Sequence, residues 1–505
     1  MKSIRLRIWT PYAAFAVALA CLFLPQSLMG QGLAGQGLDA AAARAGYYDT
    51  VWPSEHADLW RSHAAPGSGL PADFDPASLT VAQASLDLPV WGYTRDRNEV
   101  FVIGGSPFSL STFTQSMRSG KPLSGPASFF AMAGDLLSGS RPYVARVNPA
   151  DMSTKILPLT EGSTVNYTGG LLMHRNGSVY AVARSVLYKI DPETMTIEKS
   201  LKLPLVGNSD FWTTYNGLQV LPSGELVLKG FHMRDSAKTM GWLLLIDPDS
   251  LAIDVRQGAY VSSARLMIGK DMEGRIWLYH VNALESLRYE VTTKGFELDT
   301  GWTRAYRAVT DKSSQASSPL LFGIIGQVVF ADNTAPGATT PIRLYTQAAS
   351  KPGKPGSLAG MPAFSESLPG YNFFMVAGDP YLSQLLIYYD PINALVSAHR
   401  VGSDGSLEPV WERSGYRTSA SPALVPDRDL LYIDDWRDGR DHLVVLRLST
   451  GGELASVALS ARLPTIGTIF PGMNNDVYLL SSEAGGGKGL ISRVFVPSGD
   501  ERSAK

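Results

Sequence analysis

The sequence predicts an all-β fold, a single β-propeller of about eight four-stranded blades, with seven as the alternative count. Three observations predict it. Short apolar runs lead through Gly, Asn or Asp tips straight into second apolar or aromatic runs, the signature of β-hairpins. These tips recur about every fifty residues. The composition, with 49 Gly, 32 Pro and 18% charged residues among 505, suits many short strands and tight turns rather than long helices.

Residues 1–30 read as a signal peptide. Lys2, Arg5 and Arg7 form a basic start, Tyr12 to Leu24 is an uncharged apolar run, and small residues around Gly30 to Ala34 offer a cleavage site. The run is short for a membrane span, which needs about 20 apolar residues. The expected location is periplasmic or secreted, with no stable membrane span after cleavage. The alternative is a membrane anchor, through the uncleaved segment or through a lipidated Cys21 cut after Ala18-Leu19-Ala20. Cys21 is the one cysteine, so the folded body has no disulfide, thiolate metal site or cysteine nucleophile. The chain carries a net charge of −2. No basic block tracks a phosphate backbone, which argues against nucleic acid.

Residues 31–78 form an N-terminal extension and cap. His56, Asp58, Trp60, Arg61 and His63 cluster there, with Trp52 and Trp60 expected to pack on the ring. Two histidines seven residues apart near Pro and Gly present no defined helical face for a metal.

The propeller is expected over residues 79–498, followed by a tail at 499–505. Tips fall at Gly177, Gly224, Gly274, Gly326, Asp429 and Asn475, with gaps of 47, 50, 52, 103 and 46. The long gap is a double spacing and hides a tip at Gly378-Asp379-Pro380. A further tip at Arg97-Asn98 precedes the series, and residues 104–141, rich in Gly, Ser and Pro, are an insertion. A long loop of that kind is a candidate for partner contact. Each unit has a second half, in which a strand meets Asn148-Pro149, Asp191-Pro192, Asp247-Pro248 or Asp390-Pro391 and a further strand follows. The last unit shows three strands. Its fourth is expected from Leu79 to Ser85, which closes the ring and leaves no bare edge.

The segment from Leu187 through Asp191-Pro192 to Thr196, and Ser421 to Leu454, resemble secreted bacterial propellers of the quinoprotein-like and YVTN-like type. The resemblance covers most of residues 85–497 and implies the fold. Asn216-Gly217-Leu218 with Pro222-Ser223-Gly224 resembles a box of the gluconolactonase and senescence-marker family, in which the Asn helps bind a divalent metal. That implies a metal-dependent lactonase, although Ser223 replaces the family's Asp and Asp210 is the nearest carboxylate. A quinone-dependent dehydrogenase would be implied by the first resemblance. The vicinal disulfide of some members and the tryptophan docking repeat have no counterpart here.

Residues at the strand starts nearest the channel are polar and mostly hydroxyl-bearing. Tyr167, Thr168, Tyr215, Asn216, Ser263, Arg265, Ser318, Asn372, Ser421 and Thr465 are therefore the candidate ligand-binding residues at the channel mouth. The same residue types also cap strand ends and hold water. His174, His232, His280 and His399 read as packed or capping residues, and Asp434 to Asp441 as a solvated loop with internal ion pairs. No catalytic residue, metal site or cofactor is assigned. The expected role is an exported binding module for a polar ligand: a glycan, an envelope component or a protein.

Overall fold

A computed structural model describes residues 38–105, 141–161, 167–233, 239–307, 314–316, 318–334, 341–350, 357–366, 368, 376–461, 467–482 and 489–497. It is an eight-bladed propeller of antiparallel sheets. The first strands of the blades are Pro89–Thr94, Thr168–Met173, Thr213–Val220, Met267–Lys270, Leu320–Phe322, Ala377–Gly378, Ala423–Val425 and Ile469–Pro471. First strands are buried along their length, as in Thr168–Met173. Fourth strands such as Thr196–Lys202 are mostly exposed. That gradient marks the first strands as the wall of the central channel.

Blade 8 takes its fourth strand from the front of the chain. Thr80–Leu86 pairs with Gly489–Phe495 in an antiparallel register from Thr80 opposite Phe495 to Leu86 opposite Gly489. This is the closing strand expected near residues 79–85. Blades 8 and 1 meet tightly: a Cβ on Gly92 would lie 1.9 Å from the ring of Phe470.

The Pro-marked turns divide. Asn148-Pro149, Asp191-Pro192 and Asp247-Pro248 join third to fourth strands, whereas Asp390-Pro391 joins the second strand of blade 6, Leu385–Asp390, to its third. The first strand of that blade has two residues, so its hairpin starts later than the repeat spacing implies.

The 434–441 segment departs from its sequence reading. It is the end of one hairpin, Leu430–Arg437 with Arg440–Arg447. Asp434, Asp435 and Asp441 are fully buried. Asp434 accepts from the backbone of Ser419 and Ala420, both at 2.8 Å, so it ties down the chain entering blade 7. Adjacent Asp434 and Asp435 point to opposite faces of the strand and both are covered, by the chain entering the blade and by neighbouring strands, which a composition-based reading of the run misses.

The extension lies inside the channel rather than over it. From residue 52 to 69 it makes one lap of the bore, meeting the blades in order. The carbonyls of Trp52, Pro53, Leu59, Trp60, Ser62 and His63 accept from the N–H groups of Thr94, Met173, Ile268, Leu321, Gly378 and Leu424, at 2.8–3.1 Å. Gly69 then donates to Gly472 of blade 8. Blade 3 is reached by the Tyr47 hydroxyl, which donates to Gln219. The inward edges of the first strands carry N–H groups with no neighbouring strand, and this lap supplies their acceptors. To turn so tightly, Ala57, Arg61 and His63 adopt left-handed φ of 60–73°, each costing about 1 kcal/mol or more. Asp58 holds the turn by accepting from the backbone of Ser62 at 3.1 Å and the hydroxyl of Tyr381 at 2.7 Å.

Candidate ligand-binding site at the top of the channel

Two faces of the ring differ. On the top face the chain passes from one blade into the first strand of the next; on the bottom face lie the tips of the first hairpins. The lap of residues 52–69 meets the lower part of the first strands and seals the bore from below. Glu55 rises from it as a buried floor. Arg265 of blade 4 grips Glu55 through Nε at 2.8 Å and Nη2 at 2.6 Å, and Arg61 reaches it at 3.2 Å.

Above this floor a hydrogen-bonded network joins blades 2 to 5. Asn216 Nδ2 donates to the Tyr167 hydroxyl at 3.2 Å and to the Ser263 carbonyl at 2.9 Å. Arg265 Nη1 donates to the same hydroxyl at 3.3 Å, and the Arg265 backbone donates to Ser318 Oγ at 2.8 Å. Lys229, on the second strand of blade 3, donates to Asn216 Oδ1 and to the Ser262 carbonyl and sits 4.7 Å over the Phe231 ring.

Burial sets the electrostatics. It pushes the Lys229 ammonium well below its ordinary pKa, and the charges of Arg265 and Arg61 push the same way. Burial also lowers Arg61 to about 10, against the pull of Glu55. It works against Arg265 too, but Glu55 prevails and holds that pKa above its usual value. His56 and His63, with ring centroids 4.4 Å apart, are both held neutral by burial. His63 Nδ1 lies 3.0 Å from the Pro422 carbonyl.

Five of the ten residues singled out from sequence therefore converge: Tyr167, Asn216, Ser263, Arg265 and Ser318. Tyr215 does not join them. Its ring packs on Gly230 and its hydroxyl donates to the Pro204 carbonyl at 2.5 Å. Thr168 is buried in the blade 2 wall, paired with Ala183, and Ser421 is buried in blade 7. Asn372 and Thr465 lie outside the described residues. Sequence reasoning missed Glu55, Arg61 and Lys229 as members. Lys229 left one signal, a cation within the otherwise apolar strand Leu226–His232.

An aromatic strip runs outward from the mouth along blade 3. Tyr167 meets Phe231 edge-on at 6.4 Å, Trp212 lies 6.2 Å from His232, and Phe211 meets Trp212 at 4.6 Å. On the same blade Trp242 lies under Arg256 at 3.9 Å and donates to the Leu205 carbonyl. Phe211 is 40% and Tyr260 54% exposed.

The metal implied by the Asn-Gly-Leu box does not fit these residues. The carbonyl oxygen of Asn216, the atom a divalent cation needs, is taken by the Lys229 ammonium. Glu55 is likewise engaged by two guanidinium groups. Among the described residues no group of three or more His, Cys, Asp and Glu is arranged to hold a metal ion. A quinone does not fit the bore either, because Trp52, His56, Trp60, Arg61 and His63 fill it, each at most 1% exposed. His174, His280 and His399 serve as packed hydrogen-bonding residues, to Gly224, Ser262 and Ala363 at 2.8–3.1 Å.

Comparison with known proteins agrees on the fold. A quinohemoprotein alcohol dehydrogenase, ADHIIG, from Pseudomonas putida HK5 matches with a TM-score of 0.52 at 11% identity, over 91% of this chain and 82% of that one. The Dos1 propeller matches at 0.49 and 10%, over 83% and 96%. The periplasmic gluconolactonase PpgL of Pseudomonas aeruginosa matches at 0.40 and 13%, over 72% and 97%. No protein-family model and no curated protein matches the sequence. The first of these likenesses agrees with the β-propeller fold and leaves its chemistry to the site, since one fold hosts many activities. No helix among the described residues is long and apolar enough to cross a membrane.

Proposed function

We propose that this protein is an exported binding module whose top face takes a glycan. The observation that carries the reading is the adjacency of two surfaces, a polar mouth shared by blades 2 to 5 and aromatic rings on blade 3. A polar mouth edged by the half-buried Tyr167 and Ser263, which the buried Asn216 and Arg265 hold in place, lies beside the aromatic rings of blade 3. Sugars present both kinds of surface, hydroxyls for the polar groups and C–H faces for the rings. The strands that flank the 104–141 insertion, Val100–Gly104 and Tyr143–Val147, end and begin on this same face.

The test is a glycan array followed by titration of the best ligand. Phe211→Ala and Tyr260→Ala alter exposed side chains outside the network, and each is expected to weaken binding at least tenfold. Val410→Ser, on the outer strand of blade 6, is expected to leave it unchanged. An array with no ligand, or a ligand indifferent to both aromatic substitutions, overturns the reading. Tyr215→Ala is unsuitable, because its buried ring supports the blade. A lactonase-like or dehydrogenase-like enzyme would instead carry bound metal or cofactor absorbance when purified.

A further inference from the structure

The bottom face carries a pattern that the binding site does not use. Its eight first-hairpin tips are of two kinds. In blades 1, 2, 3, 7 and 8 the exposed tip residues are polar, among them Arg97, Arg175, Ser223, Asp427 and Asn475. In blades 4, 5 and 6, three neighbours in the ring, each tip exposes a large apolar side chain: Met272 at 70%, Ile324 at 37% and Leu382 at 61%. Single exposed apolar residues need no explanation, but one on each of three neighbouring tips of the same face is a pattern.

The described chain also begins at this spot. Leu38 donates its N–H to the Gly323 carbonyl of blade 5 and bridges to Asp271 of blade 4, next to Ile324 and Met272. Upstream lies the apolar run Tyr12 to Leu24, with thirteen residues, Pro25 to Gly37, between the two. Even fully extended, thirteen residues span only about 45 Å. Where the apolar run is retained as an anchor, it tethers the ring to the bilayer from this rim, at a reach of no more than about 45 Å.

We propose that the bottom face rests on a lipid bilayer, with Met272, Ile324 and Leu382 dipping into its interface beside the N-terminal segment. Three shallow apolar contacts hold weakly alone, and they gain from a second attachment such as the upstream run. The glycan-binding face then points away from the membrane.

The full-length chain in vesicles of phosphatidylethanolamine and phosphatidylglycerol, doped with acyl-chain nitroxide lipid, tests this. A thiol-reactive fluorophore is placed by Met272→Cys or Leu382→Cys on the apolar rim. Asp427→Cys marks a polar tip and Tyr260→Cys the top face; the parent, whose one thiol is Cys21, gives the background. Labels at 272 and 382 are expected to be quenched at least twofold more than those at 427 and 260. Equal quenching at all four positions, or none at 272 and 382, overturns the proposal. A lipid-independent dimer that protects both rim labels overturns it in favour of self-association. Glycan binding is read separately, so failure of one proposal does not mimic failure of the other.

Discussion

Glu55 is the residue on which the floor of the mouth depends. It faces Arg265 and Arg61 in a setting where it is 3% exposed. Replacing one partner of a buried ion pair leaves an uncompensated charge, a loss of about 3–5 kcal/mol. Glu55→Gln is therefore expected to lower unfolding stability by that amount in a denaturant titration. His63 gives a pH signature. Burial lowers its pKa to about 3, whereas an unfolded histidine titrates near 6.5. Between those values the unfolded chain binds a proton that the native one refuses, so the contribution is whole above about pH 6.5 and declines as pH falls towards 3. The full span corresponds to about 5 kcal/mol. Asp434 runs the opposite way: burial raises its pKa, so its contribution is present in acid and is lost as pH rises. The contrast with His63→Asn isolates the histidine, since Asn tolerates the left-handed backbone there. The parent is expected to lose melting temperature faster than the variant from pH 6.5 to 4; parallel curves would remove His63 from the account. Neither residue's place could be read from sequence. Glu55 and His63 acquire their surroundings from Arg265 and Pro422, hundreds of positions away.

Among elements, the closing strand and the lap of chain in the bore behave differently towards sequence reasoning. Blades were legible because a hairpin is local: apolar alternation and a left-handed tip such as Gly177 or Gly274 lie within a dozen residues. The closing strand was legible by subtraction, because blade 8 lacked a fourth strand. Replacing residues 80–86 with a Gly/Ser tract of equal length keeps the connection but removes the pairing with Gly489–Phe495. Melting is expected at a temperature lower by ten degrees or more, with loss of a single sharp transition in calorimetry, and an unchanged profile would show that the ring closes without that strand. The lap in the bore left no such trace. The 3-10 turns at Ala40–Arg44 and Pro76–Ser78 lie on either side of it, and the lap itself meets the blades by single backbone bonds, so no periodicity announces it. Its tryptophans and histidines were visible as a cluster, but their setting inside the ring was not.

At the scale of the molecule, the two faces differ: a polar and aromatic surface above, apolar tips on three neighbouring blades below. The site was half legible for the same reason as the fold. Residues in or just before the first strands, such as Asn216 and Arg265, stand at predictable positions in each repeat. Those supplied by second strands or by the bore, such as Lys229 and Glu55, do not. The circuit through the bore also constrains the order of assembly. His63 must be seated against Pro422, 359 positions later, and Gln83 against Ser492, 409 positions later. Contacts that remote make folding slow, and a nascent chain holding only the first blades has neither a finished rim nor a sealed centre. The seated centre and the closed ring are therefore completed only when the last eighty or so residues are available, so the final blades act as the latch for everything made before them.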